Sequence, residues 1–143
     1  MAKNFTSLTL LLFFLAGCQS VDGNQQMQQF QASMQNANGC YEELENREEY
    51  RPIVKHMSMR AQPTVEQLAD TARPTVEETK LLAKWSNDKS VCRKAFNSTW
   101  GIAGPAYQAV QYESQSKADA VLVKLIQRKI TWGEARACHQ LRA

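Results

Sequence analysis

Imidazole is scarce in this chain: its 143 residues include two histidines, His56 and His139. General acid–base and nucleophilic sites rely on histidine more than on any other side chain. The sequence also has no Gly-X-Ser-X-Gly elbow, no His-Glu-X-X-His pair and no glycine-rich phosphate loop. That excludes the hydrolases, zinc proteases and nucleotide enzymes built on those motifs. Long apolar runs are missing too. The most apolar stretch, 8–15, is far short of the roughly 20 residues needed to cross a bilayer. No segment alternates apolar and polar residues at period 2, so strands are not expected.

What chemistry remains is sparse. Cys138-His139 is a thiol beside an imidazole, but neighbours on a helix point about 100° apart and do not face each other. A cysteine–histidine dyad would need His56 to approach Cys138 instead. Glu48-Glu49 and Glu77-Glu78 are adjacent carboxylates that diverge on a helix in the same way and make solvated faces. The most suggestive cluster is His56-Met57-Ser58-Met59. Imidazole and thioether ligands suit soft Cu(I), which makes His56, Met57 and Met59 a candidate metal set, with Met27 and Met34 upstream. Against it, methionine is a flexible core filler, and the run is single where a copper carrier repeats its motif. No cofactor is expected.

The N-terminus carries an address. Met1-Ala2-Lys3-Asn4 bears one positive charge, the apolar stretch follows, and it ends in Leu15-Ala16-Gly17-Cys18. A charged start, a short apolar run and a small-residue end have the form of a signal peptide. The terminal tetrapeptide resembles the lipobox of bacterial lipoproteins. The resemblance implies cleavage before Cys18, which removes residues 1–17, and acylation of Cys18. Two or more acyl chains hold a protein to a membrane where one is marginal. Gln19 follows, not the aspartate that retains lipoproteins at an inner membrane, so the resemblance implies the outer membrane, with the body facing the periplasm.

Processing would leave 126 residues, enough for one small domain. An exported chain meets an oxidising compartment. With Cys18 acylated, Cys40, Cys92 and Cys138 remain, and one pair can form. Spacing does not fix the pairing. Cys40–Cys92 is favoured because both cysteines lie in segments read as long helices. Closing that loop is worth about 3–4 kcal/mol in the chain-entropy model. Cys138, near the C-terminus, is left over.

Charge is uneven along the chain. Residues 18–88 hold 7 Lys/Arg against 11 Asp/Glu, and residues 89–143 hold 9 against 3. The basic half could help the halves pack or meet an acidic partner, although charges interspersed along helices ordinarily make solvated faces. Nucleic acid is not expected as a partner of an exported protein. Asn97-Ser98-Thr99 matches a glycosylation sequon, but that modification is not expected in a bacterial lipoprotein.

The body reads as helical throughout. Residues 18–39 are rich in Gln, Asn and Ser, a tether by composition, although Met27, Phe30 and Met34 form a weak amphipathic stripe. This predicts a frayed helix that breaks at Asn38-Gly39. The helical domain is placed at 40–143. Its first helix runs 40–57, kinked or restarted at Pro52. Pro-Thr-Val-Glu occurs at 63–66 and again at 74–77, and Thr64 with Gln67 and Thr75 with Glu78 have the capping-box pattern. A short helix therefore starts at Thr64 and a long one at Thr75. The long helix keeps Leu81, Trp85, Cys92, Phe96 and Thr99 on one face and ends at Gly101 and Gly104-Pro105. Another helix starts at Pro105. Ser116 is read as the N-cap of a helix over 117–129 with Ala118, Val121, Leu122, Leu125 and Ile126 inward. Thr131 and Glu134 form a third capping box, opening a helix to 141. The expected fold is all-α, a small bundle of about five helices. Trp85, Trp100, Trp132, Tyr107 and Tyr112 could line a groove but are more naturally core. With an anchor, a tether and no catalytic constellation, the sequence reads as a non-catalytic envelope protein. It would act by contact with another envelope protein. The alternatives are soft-metal (copper) handling and inhibition of, or immunity to, an envelope hydrolase.

Overall fold

The structure, a computed structural model, describes residues 23–57 and 62–140, with all their side chains except those of His139 and Gln140. It is an all-α bundle of six helices, with no strand among the described residues. The helices are α1 (Gly23–Glu45), α2 (Arg51–Met57), α3 (Val65–Leu68), α4 (Val76–Ala103), α5 (Pro105–Ile126) and α6 (Trp132–Gln140). A 3₁₀ turn, Glu48–Tyr50, joins α1 to α2. No described helix is long and apolar enough to cross a membrane.

Antiparallel packing of α1 and α5 on the long α4 makes the body. The chain reverses from α4 into α5 over one residue, Gly104, at φ +121°, a conformation open to glycine and costly for other residues. Its N–H donates to the carbonyls of Trp100 and Gly101, and Pro105 starts α5 where no N–H is needed. The core gathers at the far end from this turn. Leu44, Tyr50, Ile53, Leu82, Trp85, Leu122, Leu125 and Trp132 are buried together there, with Val54, Met57, Leu81 and Ile126 packed around them.

All three capping boxes form. Thr64 accepts from the Gln67 N–H at 3.3 Å, Thr75 from Glu78 at 3.2 Å and Thr131 from Glu134 at 3.1 Å, and each partner side chain returns the bond. Pro52 lies in the first turn of α2, after the helix has broken, so the restart expected there is observed.

Two expected breaks are absent. Asn38-Gly39 does not end a helix, because α1 runs through it to Glu45. Glycine costs a helix about 1 kcal/mol relative to alanine. Here burial of Ala37 and Leu44 and the bond from Cys40 to α4 offset that cost. Nor does Ser116 cap anything: it lies inside a continuous α5. The polar first half of α5 is held to α4 by Gln108 donating to the Asn97 carbonyl and Gln115 donating to Asn97 Oδ1. A pattern of apolar residues could not register those contacts.

The helix ends near α6 interlock. The Trp132 and Gly133 N–H groups donate to the carbonyls of Ala72 and Asp70, which satisfies donors that a helix start leaves orphaned. Gly133 is buried against this loop, and a Cβ on it would come within 2.7 Å of the Asp70 carbonyl oxygen. Gly133→Ala should therefore destabilise the fold by about 1–3 kcal/mol, the usual cost of overpacking. Gly39→Ala should stabilise it by about 0.5–1 kcal/mol, since Gly39 is mid-helix with open space beside it. Urea unfolding followed by circular dichroism checks both signs.

Candidate functional site

Of the residues singled out in the sequence, Cys18 and Met59 lie outside the described residues. Cys40 and Cys92 form a disulfide, Cα to Cα 5.5 Å, that ties α1 to α4. Cys138 is exposed and unbonded. Met57 is half-buried and packs against the core cluster. The three tryptophans do not share a groove. Trp85 and Trp132 are core, while Trp100 is half-buried and lies fifteen residues along α4 from Trp85, about 22 Å at the helical rise. Tyr107 and Tyr112 are exposed.

His56 is the densest meeting point. It occupies the last turn of α2, and three other elements converge on it. Nδ1 is 3.4 Å from Asp70 Oδ2, in the loop after α3, and Nε2 is 3.9 Å from Glu78 Oε1, in the first turn of α4. The ring stacks on Trp132 at the start of α6, centroids 4.5 Å apart and planes 10° from parallel. Its carbonyl accepts from Arg136 Nε at 2.8 Å. Burial holds the imidazole below its ordinary pKa, helped by the charge of Lys55, while Glu78 and Asp70 pull it up.

Both carboxylates have other duties. Asp70 Oδ1 accepts from the Ala72 N–H at 2.8 Å, and Glu78 closes the cap of α4. Both imidazole nitrogens face these committed partners. Among the described residues, no group of three or more His, Cys, Asp or Glu could hold a metal ion. The chemistry of this cluster is that of a pH-sensitive clasp joining α2, α3, α4 and α6.

A second cluster lies midway along α4, one and two turns beyond Trp85. Lys89 Nζ sits 4.4 Å from the centroid of the Trp85 ring. Burial, with the neighbouring Arg93 charge, pushes its ammonium down to about 8, against the pull of Asp119. Arg93 makes two hydrogen bonds of 2.6 Å to Asp119 on α5, which hold that carboxyl below its ordinary range. The i, i+4, i+8 spacing of Trp85, Lys89 and Arg93 was readable in the sequence, but the partner on α5 was not. Comparison with known protein families, with curated proteins and with solved structures finds no match to this chain.

Both shifted groups make stability depend on pH. The folded-state pKa of His56 lies below the unfolded value of about 6.5. The unfolded chain therefore takes up the proton first, and stability present above pH 6.5 is lost as pH falls through the folded-state value. His56→Asn should flatten the fall in Tm between pH 7.5 and pH 5. Lys89, at about 8 in the fold against about 10.4 unfolded, acts at the other end of the scale. The unfolded state binds more protons over that window, so stability contributed by Lys89 rises from pH 8 to 10. Lys89→Met should remove that rise and leave the acid limb unchanged, as read by urea unfolding at the two pH values.

Proposed function

We propose that the chain is an acylated envelope lipoprotein, anchored through Cys18, that has no catalytic role and works by contact with another envelope protein. The observation that carries this reading is the Cys40–Cys92 disulfide in a chain opening with the Leu15-Ala16-Gly17-Cys18 lipobox. A stable cross-link of this kind belongs to an oxidising compartment, and the lipobox is the matching address. The membrane is the outer one, by the Gln19 reading, and the helical body faces the periplasm. The arrangement around His56 supports a non-catalytic role, since its ring is stacked on Trp132 and its Nδ1 faces Asp70 at 3.4 Å. Protein contact is favoured over copper handling because Met57, a thioether that a soft-metal set would use, packs against the core cluster.

Cys18→Ala should move the protein from the membrane to the soluble fraction and abolish labelling by a palmitate analogue. Each buried methylene contributes about 0.8 kcal/mol, so losing the chains removes the anchor. An unlabelled variant that stays membrane-bound through a salt wash would overturn the lipid anchor. Cross-linking in cells, followed by purification of the anchored wild type, should recover a protein partner lost with Cys18→Ala. Recovery of none would remove the support for an interaction role.

A further inference from the structure

Two stretches of this chain carry no Asp, Glu, Lys, Arg or His: 23–41 and 95–112. The fold lays them side by side. Gln26 Nε2 donates to the Ile102 carbonyl at 2.9 Å, Phe30 meets the Trp100 ring edge-on at 5.5 Å, and the Ser33 and Thr99 hydroxyls are 2.6 Å apart. Tyr107 stacks on Trp100 from the start of α5. Among the described residues, one end of the α1–α4–α5 unit is thus free of charged side chains; Asp22, next along the chain, lies outside them. The ion pairs that tie α4 to its neighbours, Arg47–Asp88, Lys84–Glu49 and Arg93–Asp119, all lie on the other side of Ala95.

The surface of this end is apolar and amide. Met27, Tyr107, Val110 and Tyr112 are 54, 60, 65 and 52% exposed, with Gln25, Gln26, Pro105 and Ala106 exposed beside them. The end is also where the chain arrives from Cys18. Gly23 follows that cysteine by five residues, which reach no more than about 18 Å even when fully extended. An acylated Cys18 therefore keeps the start of α1 within one short reach of the bilayer. Contact with headgroups costs this surface no desolvation of charge, and tyrosine with its apolar body and polar tip suits that zone. Without lysine or arginine, it has no electrostatic claim on anionic lipid.

We propose that the uncharged end, with Met27, Tyr107 and Val110 outermost, rests against the headgroup region of the membrane that holds Cys18. The bundle then stands end-on, and the charged core end with α6 points away from the lipid. This rests on the lipid-anchor reading. It adds a lipid-facing surface and an orientation to it.

The test uses the full acylated chain in phosphatidylethanolamine/phosphatidylcholine vesicles containing brominated lipid. Tyr107→Trp adds an indole at the uncharged end, and Val65→Trp adds one on α3, near the far end of α4. Quenching of the added signal, taken against wild type, should be at least about twofold greater for Tyr107→Trp, as the interfacial placement requires. It should not change when phosphatidylglycerol or salt is added. Equal quenching at both positions in a chain shown by mass to be acylated overturns the proposal and leaves the anchor standing. So does an indole at 107 that is shielded only on adding a membrane protein extract, which would make this end a protein-docking surface. A mature chain without acyl groups overturns the anchor, and the proposal with it.

Discussion

The bond between Cys40 and Cys92 is the constraint on which the rest of the bundle depends. Helix α1 is Gln- and Asn-rich and buries only two side chains among its 23 residues, Ala37 and Leu44. Most helical stability in proteins comes from packing an apolar face, and α1 has little face to pack. Its other ties to α4 are small: one hydroxyl contact, one amide to a carbonyl and the edge of Phe30 on Trp100, with the edge of Tyr41 on Phe96 beside the disulfide. The disulfide sits between these ties and the core residue Leu44, so it holds α1 in register from the middle. By closing a loop of 52 residues, it also removes about 3–4 kcal/mol worth of freedom from the unfolded chain in the entropic account.

On either side of that bond the molecule has different physics. Toward the core, charge is dense and networked. The Tyr50 hydroxyl donates to Asp88 at 2.6 Å, Arg47 pairs with the same carboxylate, and Lys84 reaches both Glu49 and Tyr50. Exposed pairs of this kind add little each, but they surround a buried aromatic and set the register of the 3₁₀ turn against α4. Beyond Ala95, toward the α4–α5 turn, the charges give out, and amides, hydroxyls and aromatic edges make the contacts. The short α2, α3 and α6 are held by His56, by Gly133 against its loop and by backbone bonds from the start of α6.

Local signals were legible in the sequence. Thr64, Thr75 and Thr131 each cap a helix as read, because a capping box is complete within four residues. Periodicity gives most of the inward faces of α4 and α5: Trp85, Cys92, Thr99, Leu122 and Leu125 are buried as expected, while Leu82 takes the fully buried place read for Leu81 and Phe96 is half-buried. The errors at Asn38-Gly39 and Ser116 share a cause: each residue has a local reason to break a helix, and each is overruled by contacts with α4 that no local pattern encodes. The His56 clasp was illegible for the same reason, since Asp70, Glu78 and Trp132 lie 14, 22 and 76 residues away. The pairing of Cys40 with Cys92 was favoured because both lie in helices, and the structure places them so. The two uncharged stretches were visible as sequence but meant nothing until α1 and α4 were seen to run antiparallel.

If the disulfide is what holds α1 to the bundle, its removal should release one part of the molecule ahead of the rest. Amide hydrogen exchange on the wild type and on the Cys40→Ser/Cys92→Ser double variant measures this directly. The account predicts that amides of 27–40 lose at least about tenfold more protection than those around Leu82, Leu122 and Leu125, as expected for a separately opening unit. Equal loss across all three helices, or α1 protection as high without the bond as with it, would contradict it.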